Sequence, residues 1–239
     1  RFINEFEKKI AERFDRKYGI ATSNCTAALH LSLVALGIGQ GDEVICPNLT
    51  FIAPANMISL TGAKPVLVDI EEESWNLDPD LVKEAITEKT KAIIINSPNN
   101  PTGAVYHPDE IEALVQIANE FDLWIFDDMI YSDLVYCEHP YVSPATFEGG
   151  NERTLTIGGW SKIWAMTGWR LGWITGPKEV MEGVKTCQAS SASHVPTFLM
   201  GSGKVALELT DEPRMFYEAF AERRNVFHSL LEELPGVKA

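Results

Sequence analysis

No apolar run in this chain approaches the roughly 20 residues a helix needs to cross a bilayer. The opening stretch, "RFINEFEKKIAERF", mixes charged and apolar positions as an amphipathic segment does, and it is not read as a signal peptide. Basic charge is scarce: 20 Lys and Arg stand against 34 Asp and Glu, a formal net charge of −14. No basic stripe gathers those cations, which argues against a binder of nucleic-acid backbones and leaves a general solubility charge. Cysteine is sparse as well. Cys25, Cys46, Cys137 and Cys187 lack disulfide or metal spacing, which fits a reducing compartment and sets the expectation of a cytoplasmic protein. The five histidines form no HxxxH or HxH pair, so no metal is expected. No GxGxxG follows the first strand-like run, which disfavours a nicotinamide-dependent enzyme.

What is present is an alternation. "NEFEKKIAERFDRKY" has helical periodicity, and "GIATS" follows as a short β-rich run. The same exchange continues through "TAALHLSLVAL", "DEVICP", "FIAPANMISLTG", "KPVLVDI", "DPDLVKEAIT", "KAIIIN", "PDEIEALVQIANEFD", "LWIFDD", "RTLTIGG" and "RLGWITG". Short Val- and Ile-rich runs separated by amphipathic helices predict an α/β/α sandwich, three layers around a mostly parallel sheet covered on both faces. From about residue 177 onward the pattern is helical, and "DEPRMFYEAFAERRNVFHSLLEEL" predicts one long amphipathic helix.

Ligands of such sheets sit at the carboxyl ends of the strands, and chemistry-bearing residues follow the strand-like runs here. "SNCTAAL" (23–29) opens a helix whose free amides, beside Ser23 and Thr26, form either an anion cradle or an ordinary N-cap. In "SPNNPTG" (97–103), Asn100 is held extended by Pro101 in what reads as an aimed amide or a strand-ending turn. "DDMIY" (127–131) places two acids at the end of a buried strand. That is costly unless a cation meets at least one of them, or unless one of them caps a helix. Tyr131 follows Asp128 by three residues, on the same side if a helical turn intervenes.

"GGWSKIWAMTGWRLGW" (158–173) sets Lys162 among glycines and tryptophans. A lysine removed from water becomes a usable amine nucleophile; the alternative is a snorkelling side chain with its charge in solvent. Arg170 suits either a bidentate grip on phosphate or a surface ion pair. Amine, anion cradle, arginine, amide, phenol and buried carboxylate together are the partners that pyridoxal 5′-phosphate (PLP) requires.

From about residue 85 onward, "SPNNPTGAVY", "DDMIYSDLVY" and "GGWSKIWAMTGWRLGW" make the chain resemble the class I/II aminotransferases, the aspartate aminotransferase superfamily of fold type I. The resemblance implies the large PLP-binding domain of that fold and a PLP-dependent transfer of an amino group between an amino acid and a keto acid or keto-sugar. Lys162 would be the Schiff-base lysine and proton shuttle, and Asp128 the partner of the pyridinium nitrogen. Asn100 and Tyr131 would hold the ring hydroxyl, with Arg170 and Ser161 on the phosphate. The first 95 residues instead resemble the DegT/DnrJ/EryC1 sugar aminotransferases, and in both groups the position of Phe51 stacks on the ring. Asn24, Cys25 and Thr26 fall on the phosphate cradle.

Three departures accompany the resemblance. Cys25 stands where the sugar group usually has glycine, and a side chain there would crowd the phosphate. Gly159 stands where aspartate aminotransferases carry a phosphate-binding serine. Family members also continue for roughly another hundred residues, so residues 1–210 are expected to form the PLP-binding domain. Residues 211–239 would begin an interdomain helix, with the small domain missing. A homodimer is implied, with "SSASHVPTF" (190–198) reaching toward the neighbour. Alternatives that share the cofactor residues are a β-lyase, a decarboxylase, or a truncated or engineered PLP-binding core without turnover.

Overall fold

Alternation of side chains along the strands sorts the apolar residues of this protein into two faces, and helices cover both. A computed structural model describes residues 2–237. Arg1, Lys238 and Ala239, at the ends of the two expected domains, lie outside the described residues.

The chain runs α1 (Phe2–Arg13), β1 (Gly19–Thr22), α2 (Cys25–Ala35), β2 (Glu43–Pro47), α3 (Ala53–Leu60) and β3 (Lys64–Val68). It continues as α4 (Pro79–Ala85), β4 (Thr90–Asn96), α5 (Pro108–Glu120), β5 (Trp124–Asp128), β6 (Thr154–Gly159) and α6 (Trp160–Ile163). Then follow β7 (Gly172–Thr175), α7 (Lys178–Ser191), α8 (Thr197–Glu208) and α9 (Asp211–Glu232). The seven strands form one sheet in the order β1-β7-β6-β5-β4-β2-β3. All pairs are parallel except the two that β7 makes, with β1 and with β6. The predicted mostly parallel α/β sandwich is therefore the observed fold.

β4 shows how the layers arise. Ile94 and Ala92 join the core beneath α2 and α7, while Ile93 and Ile95 turn to the other face and pack on α5. Burial of each of these isoleucines contributes about 1.5–3 kcal/mol. α5 starts sharply because His107 and Glu110 form a capping box around Pro108. A third core gathers α1, α6 and α8 around Trp160 and Trp173. Trp160 is fully buried, donates from Nε1 to the Gly203 carbonyl at 3.0 Å, and lies 5.2 Å from the Phe6 ring.

The long amphipathic helix expected near the end exists as α9, but none of its residues is buried. Phe220, Val226, Phe227 and Leu230 on it are exposed. Among the described residues, no helix is long and apolar enough to cross a membrane.

Candidate active site

The sheet brings distant segments to one edge. β1 to β6 all run in one direction, so the segments after β1, β2, β4, β5 and β6 emerge together. Antiparallel β7 starts at that same edge, where Gly172 faces Thr22 and Gly159. Every candidate residue lies there: Asn24, Cys25 and Thr26 after β1, Phe51 after β2, and Asn100 after β4. Asp128 and Tyr131 end and follow β5, Ser161 and Lys162 follow β6, and Arg170 precedes β7.

α2 opens with Asn24 as N-cap, its Oδ1 accepting from the Ala27 amide at 2.8 Å. The capping reading of this stretch thus holds for Asn24. The Cys25 and Thr26 amides have no partner within the helix, because first-turn donors never do. The loop is pressed against β7, where a side chain on Gly172 would run into the Asn24 backbone.

Cys25 does not turn toward the cradle. Its Sγ donates to Asp128 Oδ1 at 3.3 Å, across from the end of β5. Burial, followed by the adjoining carboxylate, pushes the thiol pKa well up. Asp128 Oδ1 also accepts from the Ile130 amide at 3.2 Å, which closes a tight turn rather than capping a helix. Burial raises the Asp128 carboxyl to about 6, and the thiol and amide donors act against that rise.

The two acids of β5 meet neutral donors from the protein itself. Among the described residues no ion pair reaches Asp127 or Asp128. Asp127 is fully buried, and its Oδ2 accepts from the hydroxyls of Tyr141 and Ser143, both at 2.6 Å. Arg16 acts on Asp127 only at longer range, its guanidinium donating instead to Asn151 and the Thr154 carbonyl. Two hydroxyls from a loop without periodicity thus hold Asp127; sequence reasoning missed them, and no spacing signal marks them.

Of the two settings open to Lys162, the structure shows the exposed one. Three tryptophans of its stretch, Trp160, Trp164 and Trp173, are buried while Trp169 is exposed, and the lysine is exposed on the opposite side of the four-residue α6 from Trp160. Its Nζ stands 5.6 Å from the Tyr131 ring centroid. Lys162, Ser161, Tyr131 and Asn100 line one cavity of about 1430 Å³, whose far wall is Phe220, Arg223, Arg224 and Phe227 of α9. Asn24, Cys25, Thr26, Phe51, Asp128 and Arg170 are not among its lining residues. Phe51 is 53% exposed. Arg170, in left-handed backbone (φ 52°), donates to the Thr167 carbonyl at 2.8 Å and is otherwise exposed.

Asn96, which sequence reasoning passed over, ties two of these segments. Its Nδ2 donates to the Asp128 carbonyl at 2.9 Å and its Oδ1 accepts from the Asn100 amide at 3.0 Å. A polar residue ending the apolar run "KAIIIN" was the available signal.

Comparison with known proteins gives this geometry a setting. A family model for aminotransferase class I and II matches residues 1–239, which include the first 95 residues. The chain is 37% identical over 248 residues to an aspartate aminotransferase of Bacillus subtilis, covering 98% of this chain and 62% of that protein. It is 36% identical to an aspartate/prephenate aminotransferase of Thermus thermophilus, covering 99% and 64%. Among solved structures, an aromatic aminotransferase from Pyrococcus horikoshii superposes with a TM-score of 0.90 at 31% identity, over 96% of this chain and 65% of that one. The chain thus spans less than two thirds of the length of these relatives. Matched throughout by one family and sharing its fold, this chain belongs to the class I and II aminotransferases, a PLP-dependent family.

Proposed function

We propose that residues 1–210 form the cofactor-binding body of a PLP-dependent aminotransferase, with α9 as a separate element beside it. The observation that carries this reading is the cavity shared by Lys162, Tyr131, Ser161 and Asn100, beside a desolvated Asp128. The donor set fits the cofactor: an exposed amine, a carboxylate with no donor on Oδ2 among the described residues, and α2 amides without a helical partner. PLP, when bound, supplies an aldehyde and an electron sink.

In this reading Lys162 would be the amine that holds the cofactor's aldehyde, and its Nζ would be the base that moves a proton at the substrate. Asp128 holds the ring nitrogen in its protonated form. Asn100 and Tyr131 hold the ring hydroxyl, and Phe51 covers the ring face. The Cys25 and Thr26 amides, the Thr26 hydroxyl, Ser161 and Arg170 receive the phosphate, with Asn24 shaping that turn. Arg170 must then exchange its hold on the Thr167 carbonyl for the phosphate.

An amino acid donor and a keto acid acceptor are favoured, since relatives over this whole length are named aspartate and aspartate/prephenate aminotransferases. A homodimer in the cytoplasm completes the reading, with residues 190–198 facing the second copy.

The test is the visible absorption of the protein with added PLP, beside Lys162→Ala, followed by borohydride reduction and mass measurement. The reading expects a new band and a covalent mass increase on the peptide holding Lys162, both absent from the variant. No band in either protein would end it.

A further inference from the structure

The thiol of Cys25 reaches across the site edge to the carboxylate that the proposed function assigns to the ring nitrogen. The contact joins the first residue of α2 to the last residue of β5, at 3.3 Å. Both ends are held. Cys25 follows an N-cap whose backbone is wedged against Gly172 and whose side chain is committed to Ala27. Asp128 is fixed through Oδ1 a second time by the Ile130 amide at 3.2 Å, and its carbonyl is fixed by Asn96. Oδ1 therefore carries two donors, while Oδ2 carries none among the described residues.

We propose that Cys25 is a positioning residue for Asp128: its thiol occupies Oδ1, stops the carboxylate rotating, and leaves Oδ2 as the oxygen that meets a protonated ring nitrogen. This rests on the proposed function for the identity of the ring, but not for the pairing itself. A thiol is a weak donor, so it orients the carboxylate without taking over its charge. It also favours the ionised carboxylate, the form that can pair with a cation, against the burial that opposes it. Glycine at this position would leave Oδ1 with the Ile130 amide alone.

Two measurements test the idea. In the cofactor-free protein, iodoacetamide alkylation of each cysteine is followed by peptide mass at one mildly alkaline pH, with exposed Cys137 as internal reference. Removing the neighbouring negative charge in Asp128→Asn should speed alkylation of Cys25 about fivefold or more relative to Cys137. In the second arm, PLP dissociation constants are compared among parent, Cys25→Ala and Cys25→Ser. The alanine variant should bind about three- to tenfold more weakly, the size expected for one lost hydrogen bond to a charged group. Serine, which restores a donor, should return to within about twofold.

Equal alkylation of Cys25 in parent and Asp128→Asn overturns the pairing, whatever the cofactor does. Equal PLP affinity in parent, alanine and serine variants overturns the positioning role. Faster alkylation in Asp128→Asn with no PLP uptake by the parent would overturn the aminotransferase reading while upholding the pairing.

Discussion

Replacing Asp127 with asparagine should change the pH dependence of stability in a direction that the burial of this residue dictates. Asp127 is fully buried at the end of β5, with two hydroxyl donors on Oδ2 and, among the described residues, no partner on Oδ1. Desolvation raises its carboxyl from 3.8 to about 6, with the Ser143 and Tyr141 hydroxyls opposing the rise and neighbouring Asp128 adding to it. A group whose pKa is higher in the folded state holds its proton more tightly there. Its contribution to stability is therefore full below pH 3.8 and is lost as pH rises through about 6. At 1.36 kcal/mol per pH unit, that span amounts to about 3 kcal/mol.

Asparagine carries no titrating proton, so Asp127→Asn should gain about 2 kcal/mol relative to the parent between pH 4 and pH 7. The pH-independent effect of the swap on packing and on the two hydroxyls cancels in that comparison. The assay is urea unfolding followed by tryptophan fluorescence, with parent and variant measured side by side across this range. A stability difference that stays constant with pH, or that moves against the variant as pH rises, would refute the reasoning.

Lys162→Ala should leave urea stability within about 0.5 kcal/mol of the parent, because the side chain is exposed, even as it abolishes covalent trapping of PLP. Gly172→Ala forces a methyl group against the Asn24 backbone, which cannot yield as a side chain would. Urea unfolding should register a loss of about 1–3 kcal/mol. Trp160→Ala should cost about 3–5 kcal/mol in the same assay, since it opens a cavity in the core of α1, α6 and α8 and strands the Gly203 carbonyl. Asn24→Ala removes the cap of α2 and should cost about 1 kcal/mol by thermal or urea unfolding.

Much of the fold was legible because its signals are local. The Val- and Ile-rich runs lie within β1 to β7, and the loops after them carry the motif residues. Direction was less legible. "RLGWITG" looks like the other strand runs, yet β7 is antiparallel, because the short link from α6 returns the chain along the sheet instead of crossing it. The candidate residues were legible as a set that shares one sheet edge, and not as a set of contacts. The thiol of Cys25 meets Asp128, and the hydroxyl of Tyr141 meets Asp127, through the packing of separate elements, which no spacing encodes. Exposure of Lys162 follows from which side of a four-residue helix its tryptophan neighbours bury. The apolar stripe of α9 was correctly periodic, but periodicity says only that a face exists, not what covers it.

The place of β1 in the sheet has a consequence for the order in which the site is built. β1 is an edge strand whose neighbour in the sheet is β7, which begins only at Gly172. During synthesis the turn at Asn24 to Thr26 is made early, but the β1 strand before it waits for almost the whole sheet before gaining a strand to pair with. Closing so long a stretch of chain is entropically slow, and it comes after β2, β3, β4 and β5 have parallel partners available. Before that last docking, Cys25 lacks the frame that holds it to Asp128, and an emerging chain carries the motif residues without the sheet edge that gathers them.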